Sequence, residues 1–64
     1  RNDFKGAIAG LKEVLQISEQ LGDHVGDADA LGSIADMYTE MGDLENAGRY
    51  YDMYLDALNE ELSM

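Results

Sequence analysis

His24 is the one side chain of this sequence that titrates near neutral pH, so it is the first candidate for chemistry. As a general acid or base it needs a nucleophile or a carboxylate beside it in a pocket. The alternative is a surface histidine near the start of a helix. The chain has no Cys, no phosphate-cradling Gly-rich loop and no Ser/His/Asp set. We therefore predict no catalytic residue, no cofactor and a protein that is not an enzyme.

A metal site in this chain would have to be built from carboxylates, which suit Mg²⁺ or Ca²⁺ better than Zn²⁺. A calcium-binding EF-hand loop read from Asp27 places Asp29 third and Gly32 sixth, as that loop requires. Leu31 then falls fifth and Tyr38 twelfth, where oxygen ligands are needed. The pattern fails, and the sequence predicts no metal site.

The charge balance is strongly acidic, with 14 Asp plus Glu against 4 Lys plus Arg and a formal net charge of -10. Nucleic acid and anionic membrane surfaces are not expected as partners, because both are bound through Lys and Arg. Such a field attracts basic segments of other proteins, and it equally serves solubility. No stretch approaches the roughly 20 apolar residues of a membrane span, and nothing resembles a signal peptide. An intracellular protein is expected.

The elements that position these side chains are three helices. The first is predicted from Phe4 to about Gln20, because its apolar residues recur at the i, i+3, i+4 spacing of one helical face. Asp3 stands in the N-cap position, where its carboxylate accepts from free backbone N–H groups. Gly22 supplies the left-handed stop.

The second and third helices carry comparable signals. Asp23 or Asp27 is the N-cap of the second helix, so its start is open by one turn, and Gly42 ends it. Asp43 is the predicted N-cap of the third helix, which continues towards Leu62. No alternating apolar run competes as a strand. The expected fold class is all-α with three helices.

Glycines inside these helical patterns need a reason, since each costs about 1 kcal/mol relative to Ala in an exposed helix. They are Gly6, Gly10, Gly32 and Gly48. Small residues on one face allow two helices to approach closely, so tight helix packing is the expected reason, with a hinge as the alternative.

An internal repeat of 40 residues relates the first helix to the third. The shift aligns cap with cap and apolar position with apolar position, and a period in this range is typical of solenoids built from helix pairs. The aligned pairs are Asp3 with Asp43, Phe4 with Leu44, Ala7 with Ala47, Leu11 with Tyr51, and Leu15 with Leu55.

The second copy, read from Ala28, resembles a tetratricopeptide repeat (TPR). That family has large, small and aromatic residues at fixed places of a helix pair, with Gly at the turn. The matching residues here, which the resemblance implies pack the repeat, are Leu31, Ile34, Ala35, Tyr38, Gly42, Ala47 and Tyr51. Tyr54 and Asn59 depart from it, since the family usually has Ala and often Pro there.

The resemblance extends over essentially the whole chain. It implies that residues 1–22 are the second helix of a preceding repeat and 23–64 one full repeat, together about one and a half repeats of an α-solenoid. The 40-residue spacing, longer than the usual 34 or so, is similar to long-repeat TPR proteins such as spindle-orientation adaptors and ciliary axonemal proteins. That similarity implies a cytoplasmic or a cytoskeletal and ciliary location.

The TPR resemblance also implies a concave groove lined by the first helix of the repeat, at Asp29, Gly32, Asp36 and Thr39. Their acidic character predicts a neutral or basic protein segment as ligand, or else simple hydration of the carboxylates. The implied function is a non-catalytic scaffold or adaptor that binds other proteins and stacks on neighbouring repeats of its own chain. A self-contained acidic module that binds a divalent cation, and a non-catalytic part of a larger enzyme, stay as alternatives.

Two further surfaces have open interpretations. Tyr50, Met53 and Ala57 form a second apolar strip on the last helix, which packs on the next repeat or docks another protein. Glu60 and Glu61 are either a solvated helix terminus or a contact for a partner.

Overall fold

Three α-helices make up the part of the chain that the structure, a computed structural model, describes, namely residues 3–62. They are α1 (Phe4–Leu21), α2 (Asp27–Glu40) and α3 (Leu44–Leu62). The predicted all-α class is confirmed, and residues 3–62 contain no strand. The ends of the predicted segments 1–22 and 23–64, at residues 1–2 and 63–64, lie outside the described residues. The division into these two segments stays a prediction.

Helix α1 begins and ends where the sequence predicts. The Asp3 carboxylate accepts a hydrogen bond from the Gly6 backbone N–H at 3.0 Å, which satisfies one free donor of the first turn. Gly22 has a φ of 70°, and its N–H donates to the Glu19 carbonyl. A Cβ at Gly6 would collide with the Asp3 carboxylate. The absent side chain at Gly6 therefore makes room for the cap, and tight helix packing is the wrong reason at this position.

Helix α2 begins differently from the prediction. Its N-cap is Gly26, with a φ of 90° and no capping side-chain bond, and Asp27 is the first helical residue. Asp23 instead accepts from the Val25 N–H at 3.2 Å and shapes the loop before the helix. Neither predicted N-cap is correct, because the left-handed turn at Gly26 places both carboxylates in other contacts.

The turn between α2 and α3 matches the prediction. Gly42 follows the last turn of α2 with a φ of 81°, so it supplies the left-handed stop. Asp43 caps α3 by accepting from the Asn46 N–H at 3.3 Å and from the Asn46 side-chain amide at 2.8 Å. The short connection makes α2 and α3 antiparallel neighbours.

Helix α2 lies between α1 and α3 and supplies most of the core. Ile34 and Ala35 are fully buried, and small residues at the contact allow a close approach of the helices. The buried hydrophobic residues are Ile8, Ala28, Ala30, Leu31, Ile34, Ala35 and Ala47. A core of this size gives limited stability to a chain without a disulfide.

One lysine ties α1 to the other two helices. The Lys12 Nζ donates a hydrogen bond to the Tyr38 hydroxyl at 3.1 Å. It also lies 5.6 Å from the ring centroid of Tyr38 and 5.5 Å from that of Tyr50, within the range of cation–π attraction. The hydrogen bond to Tyr38 is the main cause that raises the pKa of Lys12 above its usual value of 10.5. The charged lysine therefore holds α1 against an aromatic pair.

Candidate protein-binding groove

A groove runs between α2 and α3 and contains an open cavity of about 290 Å³. Helix α2 contributes mainly small and acidic residues to it, and α3 contributes two tyrosines. The lining residues are Ala28, Asp29, Gly32, Ser33, Asp36, Tyr51 and Tyr54. Three of the four predicted groove residues, Asp29, Gly32 and Asp36, therefore lie together. Thr39 lies outside this lining, and its hydroxyl donates to the Ala35 carbonyl at 2.9 Å.

Gly32 allows the floor of the groove to form. A Cβ at this position would lie 3.3 Å from two ring carbons of Tyr54, a contact tighter than most side chains make. The Tyr54 ring therefore uses the space that the absent side chain leaves on α2. The expectation of close packing at a helical glycine is confirmed here, and it is wrong at Gly10 and Gly48, where a Cβ would meet no described atom within 4 Å.

The Tyr51 hydroxyl donates a hydrogen bond to the Asp36 carboxylate at 2.7 Å. This bond is the largest cause that raises the pKa of Tyr51 above 10.0, while the nearby Thr39 side chain lowers it to a smaller extent. The TPR resemblance implies that Tyr51 packs the repeat, but its side chain is 38% exposed. The polar end of Tyr51 thus belongs to the groove rather than to the core.

The groove carries uncompensated negative charge. Asp36 accepts from the neutral Tyr51 hydroxyl, and Asp29 is exposed and has no ion-pair partner among the described residues. Among residues 3–62, no Lys or Arg lines the cavity. Carboxylates on a surface with apolar tyrosine faces are suited to a partner that brings both positive charge and apolar area.

The other residues expected to pack the repeat lie in three environments. Leu31, Ile34, Ala35 and Ala47 are buried between the helices. Tyr38 is half-buried, with its ring centroid 5.6 Å from that of Tyr50. Gly42 lies in the turn after α2.

The second apolar strip of α3 does not form one continuous surface. Tyr50 is half-buried beside Tyr38 and Lys12, whereas Met53 is 44% exposed. Ala57 is half-buried and lines a separate cavity near the end of the helix. The three residues of this strip therefore lie in three different environments.

His24 lies in the loop between α1 and α2, away from the groove. Its Nδ1 is 2.9 Å from the Asp27 carboxylate, and this contact is the largest cause that raises the pKa of His24 above 6.5. The side chain is exposed, so the contact is weak and screened. Within residues 3–62, no group of three or more His, Asp or Glu side chains could hold a metal ion.

The sequence alone missed the contribution of α3 to the groove. Tyr54 was a departure from the family pattern, and its pairing with Gly32 across the helices is the signal that could have located it. Ala28 and Ser33, each next to a predicted position on α2, also line the groove. None of the helices that the structure describes has a stretch long and apolar enough to cross a membrane.

Taken together, the described residues form an all-α unit of three helices with an acidic groove between the last two. No protein-family model matches the chain, and no solved structure gives a significant match. The chain is 43% identical over 58 residues to an Arabidopsis thaliana protein named FLUORESCENT IN BLUE LIGHT, chloroplastic. The match extends over 91% of this chain and only 18% of that protein. The chain thus spans less than a fifth of its relative.

This similarity corrects the expected location. The expectation of a cytoplasmic, cytoskeletal or ciliary protein rested on the repeat length, and the relative is a chloroplastic protein. A 40-residue spacing reflects how helices pack and contains no targeting information, so it was a poor guide to the compartment.

Proposed function

We propose that this chain is a non-catalytic protein-binding unit of the TPR type, part of a longer α-solenoid in a chloroplast protein. Its groove between α2 and α3 receives a neutral or basic segment of a partner protein. The observation that carries this proposal is the groove itself, with an unpaired Asp29 and the Tyr51–Asp36 hydrogen bond beside the Tyr54 ring. The chloroplast location follows from the similarity to the Arabidopsis protein.

The groove supports a peptide ligand better than a small molecule. Its cavity of about 290 Å³ is at the lower limit of ligand pockets and continues into open surface. Tyrosine supplies a large contact area at low conformational cost, and carboxylates orient a bound peptide and favour basic residues in it. A short segment with a basic residue next to an apolar one would use both.

The internal repeat supports the solenoid. In α1, Ile8 is buried and Leu15 is half-buried, whereas Leu55 of α3, the repeat counterpart of Leu15, is 54% exposed. Conversely, Ala47 of α3 is buried, whereas its counterpart Ala7 is exposed. Each of the outer helices thus leaves open the face that the other covers. A helix like α2 on either side would cover these faces, as repeat stacking requires.

The test uses nuclear magnetic resonance of the isotopically labelled chain with three synthetic peptides. The peptides share one length and one leucine and tyrosine content, and differ only in carrying arginines, glutamines or glutamates. We expect the arginine peptide to shift the amide signals of Asp29, Gly32 and Asp36 at the lowest concentration, and the glutamate peptide to leave them unchanged. Equal responses to all three peptides, or signals that move only on other surfaces, would overturn the proposal.

A further inference from the structure

A second cavity, of about 300 Å³, lies near the C-terminal end of α3, between the α1–α2 loop and the last turns of that helix. The loop contributes Gly22, Asp23, His24, Val25 and Asp27, and the helix contributes Ala57, Glu60 and Glu61. None of these residues lines the groove between α2 and α3. The cavity is therefore a separate feature of the molecule.

Val25 is held facing solvent in this cavity. It is 86% exposed, the highest value among the exposed large hydrophobic residues. The Val25 N–H donates a hydrogen bond to the Asp23 carboxylate within this loop, and the loop begins and ends at the left-handed residues Gly22 and Gly26. A loop ordered in this way does not turn Val25 into the core. Val25 therefore presents apolar area to a side chain that enters the cavity.

The edge of the cavity is acidic and incompletely neutralised. Asp27 has His24 as its partner, and Glu60 also acts on His24 through its charge, which helps to raise the pKa of His24. Among the described residues, neither Glu60 nor Glu61 has an ion-pair partner within 4 Å. Within the part of the chain that the structure describes, no Lys or Arg lines this second cavity. The site thus combines an apolar wall at Val25 and Ala57 with unpaired carboxylates next to it.

We propose that this cavity binds an arginine side chain of a partner protein, with the methylene stem against Val25 and Ala57 and the guanidinium paired with Glu60 and Glu61. Long basic side chains bury their stems on apolar surface while the charged end stays near water. A planar guanidinium pairs with carboxylates through two parallel hydrogen bonds, which an ammonium does not. The volume suits one side chain rather than a whole cofactor.

The experiment titrates the labelled chain with N-acetylarginine methylamide, and in parallel with the lysine and citrulline analogues. Citrulline keeps the shape of arginine and removes its charge. We expect the arginine compound to shift the amide signals of Val25, Ala57 and Glu60, with a weaker response to lysine and none to citrulline.

Variants assign the response to this cavity. Glu60→Gln and Glu61→Gln are each expected to weaken binding of the arginine compound by roughly two- to fivefold, the range of an exposed ion pair. Val25→Ser removes the apolar wall and should weaken it as well. Glu13→Gln removes the same charge from the outer surface of α1 and is expected to leave binding unchanged. Circular dichroism verifies that each variant keeps its helices.

The outcomes separate this site from the groove. The Glu60 and Glu61 variants should still bind the arginine peptide in the groove, so loss at one site with retention at the other supports two independent surfaces. Equal binding of arginine and citrulline would overturn the role of the carboxylates. Equal binding of arginine and lysine, or equal weakening by Glu13→Gln, would overturn an arginine site in favour of general cation attraction.

Discussion

The Tyr51 hydroxyl of α3 donates a hydrogen bond of 2.7 Å to the Asp36 carboxylate of α2, so the two sides of the groove are connected by one polar contact. The contact orients the Tyr51 ring and leaves part of the Asp36 carboxylate free to accept from a ligand. The bond requires a protonated Tyr51 hydroxyl, so this connection between α2 and α3 is lost when Tyr51 is deprotonated at alkaline pH.

Replacement of Asp36 by Asn is expected to lower the pKa of Tyr51 towards 10.0, because the carboxylate is the largest cause of its rise. A group with a raised folded-state pKa contributes stability fully below its unfolded pKa and loses it as pH rises through the folded value. The stability of the native chain should therefore fall more steeply in the alkaline range than that of Asp36→Asn. Tyrosinate absorbance and urea unfolding at several pH values measure both effects, and identical titrations would contradict them.

Glycine-to-alanine replacements at Gly10, Gly32 and Gly48 should change the free energy of unfolding by different amounts. Gly10→Ala and Gly48→Ala are expected to stabilise the chain by about 1 kcal/mol each, because a Cβ at these positions meets open space. Gly32→Ala should gain less or destabilise, since its Cβ would push the Tyr54 ring. Urea unfolding gives the three free energies. A Gly32→Ala gain equal to that of Gly10→Ala would contradict the close contact.

Lys12→Met should loosen α1 from the other helices. The variant loses the hydrogen bond to Tyr38 and the attraction to two tyrosine rings, and we expect a loss of about 1 kcal/mol. The raised pKa of Lys12 means that its contribution is complete at neutral pH and is lost only as pH rises through the raised value. Lys5→Met is the matched control, because Lys5 makes no such contact. Amide hydrogen exchange in α1 should rise in the first variant and not in the second.

One exposed leucine, Leu55, tests the open face of α3, and the buried Ile34 of α2 serves as the comparison. Leu55→Ser is expected to change the free energy of unfolding by less than about 0.5 kcal/mol in this chain, because the side chain already faces solvent. Ile34→Ala should cost about 2 to 5 kcal/mol, because Ile34 is fully buried. In a chain extended by a following repeat, Leu55→Ser should become costly. An unchanged small effect there would argue against stacking on this face.

Local signals in the sequence were sufficient for the helices and most of their ends. Asp3, Asp43, Gly22 and Gly42 act through contacts within a few residues, so their types and positions predict them. The start of α2 was missed because Gly26 determines it through backbone conformation, while two nearby Asp residues offered more usual caps.

The groove needed contacts between helices that single-sequence patterns do not contain. The acidic positions on α2 were located by analogy with a repeat family. The Tyr54 ring packed on Gly32 and the Tyr51 bond to Asp36 depend on the rotation of α3 about its axis, which small differences in packing determine. The cavity at Val25 depends in turn on a loop whose two left-handed glycines, Gly22 and Gly26, fix its course.

The most direct test of the groove compares two pairs of substitutions that each remove two negative charges. Asp29→Asn with Asp36→Asn alters the groove, and Glu13→Gln with Asp52→Asn alters surfaces outside both cavities. Isothermal titration with the arginine peptide should show binding at least about threefold weaker for the groove pair, the sum expected of two exposed contacts. The control pair should bind nearly as the native chain does. Equal weakening by both pairs would show that only the overall negative field attracts the peptide, and it would contradict the groove as a binding site.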